Sequence, residues 1–503
     1  MEQKMQNSKD MQWDTEEIPH EGRLGVIDIG SNSIRLVVYD GIKRMPLPLF
    51  NEKIFCCLAK GMTITGKLNP EGVKLVEASM KRFLALAHVM DVVELQVLAT
   101  AAVRDASDGV AFVENLERKY RVTITVVSGK KEAQLAAAGI FSSLYNPQGL
   151  AGDLGGGSIE LVGIEKDGIS NQATLPIGPL RLLDAGSGNR AKIAQIIEES
   201  IAGETWLDGI HPQSFYAIGG SFRMLAHIHM QKEEYPLDIV HNYTVKTAPM
   251  RRLLKEIIHS PLAQLKKMPG ASDERIDSLI PAALVMDRIL DITNPGDVVF
   301  SASGIREGYL YEKLTPSLRN EDPLIASCID LASQNGRLAG FARELFAWIS
   351  PLFEKESDAD RRLRFSACIL SEIAWRIHQE YRSEWAFSRV LHSTLAGLSH
   401  PERVTLALAL YHRYQFKPKL KSPVLSLVNE KEKVFARLIG TAAHLAFLLS
   451  GGHAGNLRHV TLSQKRGNIE VTFDQEAQDL LSDSVRKRIH GLNEVFEAFN
   501  KLR

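Results

Sequence analysis

The chain has 503 residues, 45% of them apolar, with 60 basic and 60 acidic side chains that balance to no net charge. Such a length holds more than two domains and several buried cores; such a balance excludes a general attraction to nucleic acid or to a membrane surface, so a polyanion would have to be met by a local patch. Cys56, Cys57, Cys328 and Cys368 show no metal-ligand spacing. No run of about 18 apolar residues predicts a membrane span, and the polar stretch 1–21 reads as a flexible tail without a signal core. The expectation is a cytoplasmic protein.

In chain order, strands are expected over 25–30, 34–39 and 47–58. A helix over 69–90 follows, with Val73, Val76, Met80, Phe83, Leu84 and Ala87 at helical spacing. A buried strand at 95–100, a helix at 109–120, a strand at 123–127 and a helix at 128–144, begun by Ser128, complete a first α/β half. The second half opens with a hairpin from 149 and a strand near 171–176. Helical pattern at 190–207, a strand at 214–218, a helix at 221–229, helices within 247–290 and a last strand at 298–302 come next. A helix at 303–314 is expected to close that half. From 323 to 450 the pattern is almost all helical, with breaks at Pro351, Pro401 and Pro418. Strands at 459–462 and 469–473 and a helix at 479–500 end the chain. The domains expected are 1–21 (tail), 22–145, 146–318, 319–432 and 433–503.

Two stretches carry the chemistry. Asp28–Val38, DIGSNSIRLVV, and Asp153–Gly163, DLGGGSIELVG, align without a gap and share Asp, Gly, Ser, Ile, Leu and Val at the same offsets. Each reads as a hairpin, and two of them imply an internal duplication whose turns face each other across a cleft. In the turns Gly30-Ser31-Asn32-Ser33 and Gly155-Gly156-Gly157-Ser158, small residues bring bare N–H groups to an anion. Asp28 and Asp153 at the strand ends suit a divalent cation. A third turn, Gly219-Gly220 in AIGGSFR, leads into a helix whose first amides can accept phosphate. Taken singly, these are ordinary glycine turns; likewise Glu132 is a helix-start carboxylate, Arg104 a surface arginine and Glu160 an exposed strand residue. Together they meet the needs of phosphoryl transfer to water: a cation at Asp28 and Asp153, a phosphate cradle, charge neutralisation by Arg104, and a base, Glu132 or Glu160. Neither a Ser-His-Asp pattern nor a cysteine nucleophile competes.

The motifs GVIDIGSNSIRLVVYD (25–40), ATAAVRDASDG (99–109), VVSGKKEAQLA (126–136), GDLGGGSIELV (152–162), LPIGPLRL (175–182), AIGGSFRMLA (217–226) and SASGIREGYL (301–310) resemble, in order, those of the exopolyphosphatase/guanosine pentaphosphate phosphohydrolase family. The resemblance implies a duplicated actin-like (ribonuclease H-like) ATPase-superfamily core with mixed sheets. It also implies Glu132 as the base that activates water, Asp153 and Glu160 near the metal, Arg104 at the A-x-R arginine, and Asn32, Ser33 and Gly155–Ser158 as phosphate-holding turns. The family often has an acid where Lys131 stands; this lysine either lowers the basicity of Glu132 or grips the polyanion. Residues 370–387 and 395–414 are similar to an all-α HD-type module, but none of the 15 histidines precedes an Asp, so His378, His392, His400 and His412 are read as structural or surface groups. A small α+β piece follows. Within 411–421, Arg413, Lys417, Lys419 and Lys421 offer either a solvated loop or a track for a phosphate chain.

The reading is an Mg²⁺-dependent (or other hard divalent cation) hydrolase releasing terminal phosphate from inorganic polyphosphate. The alternatives are conversion of guanosine pentaphosphate to tetraphosphate, a bifunctional enzyme, an actin-like ATPase or small-molecule kinase, and a non-catalytic sensor. Guanosine tetraphosphate is an expected ligand or inhibitor, and a homodimer is implied by the resemblance alone.

Overall fold

The computed structural model describes residues 22–166, 168–334, 339–415, 420–465 and 467–502; the expected 1–21 tail lies outside them. β1 (Leu24–Ile29), β2 (Ser33–Tyr39) and β3 (Pro48–Phe55) form an antiparallel meander. β4 (Glu94–Ala99) and β5 (Ile124–Val126) join in parallel, giving the order β3-β2-β1-β4-β5. The second sheet repeats the plan. β6 (Gly149–Leu154), β7 (Ile159–Glu165) and β8 (Gly168–Leu175) are the meander, and β9 (Ser214–Ile218) lies parallel to β6. β10 (Tyr243–Lys246) then forms an edge, antiparallel to β11 (Asp297–Phe300), which is parallel to β9. β10 was not expected: its four residues, Tyr-Thr-Val-Lys, alternate but run directly into a helix and are too few to announce a strand.

Both sheets are covered on two faces, so the inner strands are apolar nearly throughout. Two of the covering helices cross between the halves. The Gly129–Ser143 helix sets Ala136 and Ile140 against Ala151, Ile164 and Tyr216 of the second sheet, with Ala133 and Ala137 on Val162. The Ile305–Lys313 helix does the reverse, placing Leu310 among Leu24, Val26, Val37 and Leu98. This corrects the expectation that the helix closes the second half: its apolar face finds a partner on the first sheet, where Tyr39 Oη also donates to Glu307 Oε1 at 2.9 Å. The crossing brings the start of both helices to one cleft.

Beyond Pro323 one apolar core unites six helices: Pro323–Ser333, Ala339–Ile349, Asp358–Ile369, Arg382–His392, His400–Tyr414 and Glu430–Ser450. The hairpin β12 (Val460–Lys465) and β13 (Asn468–Phe473) and the Asp483–Lys501 helix share it. The helix expected through 370–387 is interrupted, because side chains take its backbone groups. Tyr414 Oη accepts from Ala374 N at 3.2 Å and donates to Ser371 O at 2.8 Å, and Arg382 donates to Ile377 O at 2.8 Å and Trp375 O at 3.0 Å. One helix, Glu430–Ser450, is long and apolar enough by length and composition alone to cross a membrane, but its Phe435, Leu438, Ile439 and Leu445 are buried in the helical core.

Candidate active site

The two hairpin turns close with the same bond. Gly30 N donates to Ser33 O at 3.0 Å, and Gly155 N donates to Ser158 O at 3.0 Å. They also meet: a Cβ on Gly156 would lie 2.9 Å from Ser31 Cβ, so the second turn needs glycine to approach the first. The first turn is braced from behind, Cys56 N and Cys57 N donating to Asn32 O at 3.0 and 3.1 Å and Ala59 N to Ser31 O at 3.0 Å. The third turn fits beside them through Gly219, whose φ of +102° and 2.4 Å approach of an added Cβ to Leu154 O exclude a side chain.

A cleft of about 1040 Å³, open mouth included, lies where these turns converge. Of the residues singled out from sequence, Asp28, Gly30, Ser31, Asn32, Ser33, Glu132, Asp153, Gly155, Gly156, Ser158, Glu160, Gly219 and Gly220 line it. Gly157 and Arg104 stand just behind the wall. Arg104 Nη1 donates to Glu132 Oε2 at 2.8 Å and to Val127 O at 3.2 Å, so it braces the glutamate.

Glu132 occupies the first turn of the Gly129–Ser143 helix, whose cap Ser128 accepts from Lys131 N at 3.2 Å. It is only 4% exposed. Burial pushes its carboxyl up to about 7 against the pull of Arg104, with Asp153 and Asp28 adding to the rise. Burial also brings Asp153 up to about 6, opposed by Arg223. Glu160, 1% exposed, is held well above the usual carboxylate range by burial and then by Glu132, although Ser158 Oγ donates to its Oε1 at 2.6 Å. Lys131 turns away and pairs with Glu312 at 2.5 Å, so it touches neither Glu132 nor the cleft.

The carboxylates do not form a ready metal shell, which corrects the expected trio of Asp28, Asp153 and Glu160. Among the described residues no three acidic, His or Cys side chains converge on a point. Asp28 Oδ2 already accepts from Arg306 Nη1 at 2.8 Å, and Glu160 is engaged by Ser158. Asp153 has no ion-pair partner among the described residues, and its hard oxygen donors fit a cation that completes its shell with water and substrate.

Sequence reasoning missed the cations. Arg35, Lys53, Arg223, Arg275 and Arg306 all line the cleft; Arg35, Arg223 and Arg306 lie inside the motifs at 25–40, 217–226 and 301–310 but were not singled out there, and Lys53 and Arg275 lie in none of the motifs. Conversely, Arg413 is no part of a surface track. It is 3% exposed, paired with Glu372, and its guanidinium sits 4.3 Å from the Phe447 ring centre; a helical-core position removes it from any solvent chain. Lys421 is exposed, and Lys417 and Lys419 lie outside the described residues.

A duplicated actin-like core with a glycine-walled, cation-lined cleft and a buried glutamate defines a class of phosphate-handling proteins. Residues 37–316 match the Ppx/GppA phosphatase family and residues 324–496 match the family described as "Exopolyphosphatase, C-terminal". The chain belongs to the Ppx/GppA phosphatase family and is a hydrolase. It is 25% identical to Retrograde regulation protein 2 of Saccharomyces cerevisiae, covering 92% of this chain and 87% of that one. It is also 25% identical to Exopolyphosphatase 1 of Mycobacterium bovis, over 58% of this chain and 88% of the relative. Among solved structures, an exopolyphosphatase from Cytophaga hutchinsonii is similar over 57% of this chain and 96% of its own, with 25% identity and a TM-score of 0.52. The Aquifex aeolicus Ppx/GppA family member shares the fold, with 22% identity and a TM-score of 0.51 over 60% of this chain and 99% of its own.

Proposed function

We propose that this protein releases terminal orthophosphate from inorganic polyphosphate by direct attack of water, with Glu132 as general base. The observation that carries this is Glu132 itself: a carboxylate buried in a cleft of anion-binding turns and basic side chains, lifted to neutrality and oriented by Arg104. A base of that basicity takes a proton from water at working pH. The amides of Gly155–Ser158 and Gly30–Ser33, with Asn32 and Ser33, hold the phosphate oxygens, and Gly219-Gly220 adds a third set. Arg306, whose Nε is buried without a hydrogen-bond partner, and Arg223 neutralise the terminal phosphate. Glu160, held above the usual carboxylate range by burial and then by Glu132, orients the attacking water. Asp153 is the residue that would hold Mg²⁺ or another hard divalent cation, with water and substrate completing the shell; such a cation would withdraw charge from the phosphate oxygens. The domain division 22–145, 146–318 and 319–503 is part of the same proposal; the expected cut at 432/433 falls inside the Glu430–Ser450 helix and through the single helical core.

The test is phosphate release by wild type and Glu132→Gln, each given long-chain polyphosphate and guanosine pentaphosphate. Release from polyphosphate that falls about 10²–10⁴-fold in the variant is expected. Release from the nucleotide alone moves the substrate to guanosine pentaphosphate. A second reading, favoured by similarity to a yeast protein named for regulation, is a regulator; binding of polyphosphate or guanosine pentaphosphate with no phosphate release from wild type would support it.

A further inference from the structure

The cations of the cleft are ordered along the first sheet. In register, Asp28 on β1 pairs with Arg35 on β2, and Arg35 pairs with Lys53 on β3. Paired residues on adjacent strands project from the same face, so these three form one row from the turns toward the edge strand. With strands about 4.8 Å apart, Lys53 stands roughly 10 Å from Asp28 along that row. All three line the same cleft.

Lys53 is an improbable lysine to leave in place. No acidic side chain pairs with it among the described residues; its neighbour is the Phe55 ring, whose centre lies 4.1 Å from Nζ. Four arginines, Arg35, Arg223, Arg275 and Arg306, surround it at electrostatic range. Burial and those like charges bring its ammonium down to about 7. Arg275, from the other half of the molecule, stands over the same Phe55 ring at 5.6 Å. A half-buried cation with four arginines around it, and Glu274 within electrostatic range but not paired with it, destabilises the free protein, and an anion laid among the cations removes that penalty. The row is too long for a single phosphate seated in the turns.

We infer that Lys53 is the outer contact for the chain of a condensed phosphate: the terminal group sits in the two turns, and the following phosphates pass along Arg35 to Lys53 and leave over β3. This rests on the proposed function, whose substrate class it narrows: ligands long enough to reach β3 gain affinity that short ones do not. It also gives the chain an exit over the first sheet's edge, where the unpaired cations are, and not past Arg413, which is locked in the helical core.

The experiment uses the full chain in a Glu132→Gln background, so that ligands survive, and measures equilibrium binding of pyrophosphate, guanosine pentaphosphate and long-chain polyphosphate. Adding Lys53→Gln is expected to weaken long-chain polyphosphate about tenfold, as loss of a charged contact does, to reduce its salt slope by about one ion, and to leave pyrophosphate within twofold. Lys53→Arg should restore long-chain affinity. Equal losses for pyrophosphate and long chains, a loss confined to guanosine pentaphosphate, or no loss at all would overturn the inference while the functional reading stands. Failure of the Glu132→Gln parent to bind any polyphosphate would overturn both.

Discussion

The cleft and the helical half hold the same residue types in opposite states. In the helical half, among the described residues, three of the four buried arginines have an acid, Arg362 with Asp322, Arg364 with Glu356 and Arg413 with Glu372, and the fourth, Arg403, donates to the carbonyls of Leu391, Ser393 and Leu395. In the cleft, Arg35, Lys53, Arg223 and Arg275 have none among the described residues, and only Arg306 pairs, with Asp28. A paired buried charge is fixed structure, because removing one partner strands the other. An unpaired group of like charges is a site waiting for an anion. The position of the acids, more than the number of basic residues, separates scaffold from site.

The sharpest break of that contrast is at Arg413. Arg413→Met leaves Glu372 buried and alone, and should cost about 3–5 kcal/mol of stability by denaturant unfolding, with phosphate release per folded molecule unchanged; adding Glu372→Leu should recover most of the loss. Arg223→Gln should do the opposite. It removes a cation from among cations, so unfolding stability is expected to hold or rise, while kcat/KM falls by the equivalent of about 1.5–3 kcal/mol for a lost charged contact. A fall in stability at Arg223 with kcat/KM intact would erase the distinction. The cleft's walls are tested by Gly178→Ala: an added Cβ lies 2.4 Å from Gly157 C and Ser158 N, behind the second turn, and overpacking there should cost about 1–3 kcal/mol together with phosphate affinity.

The histidines of the helical half provide a pH test. Burial brings His400, His412 and His444 down to about 4. A group whose folded value lies below its ordinary value near 6.5 binds more protons unfolded than folded, so stability is full above about 6.5 and is lost as pH falls toward 4, at up to about 1.4 kcal/mol per pH unit for each such group. Urea midpoints taken from pH 7 to 4.5 should fall accordingly, and His412→Phe should flatten the slope. Smallest of all, Lys421→Gln on the exposed stretch should change stability by less than about 0.5 kcal/mol.

The duplicated core was legible because both hairpins repeat an aspartate, a small-residue turn and a serine at fixed offsets, and a glycine turn constrains backbone locally. Asp153 and Glu160 were legible for the same reason, each lying within such a hairpin; Glu132, near the start of a helix between the hairpins, was reached through the SGKKEA stretch. Arg35, Arg223 and Arg306 lie inside stretches singled out from sequence but were passed over, because nothing local marks a cation as facing the cleft, and Lys53 and Arg275 belong to no such stretch; the five meet only through the sheet register and the crossing helices. Arg413 misled because a basic run with aromatics reads alike on a loop and at a helix end, and only tertiary contact reveals Glu372 beside it. The interruption within 370–387, part of the stretch read as helical, has the same origin: Tyr414, from another helix, and Arg382, from within the stretch, capture its backbone groups.

The central claim is that burial makes Glu132 a base poised near neutrality, and the pH profile of kcat on polyphosphate tests it most directly. The carboxyl must lose its proton to act, so kcat should rise with pH through about 7 and then level. In Glu132→Gln the residual rate should be low and should lose that rise. A variant that keeps the same inflection, or keeps the wild-type rate, would contradict the assignment of the base to Glu132.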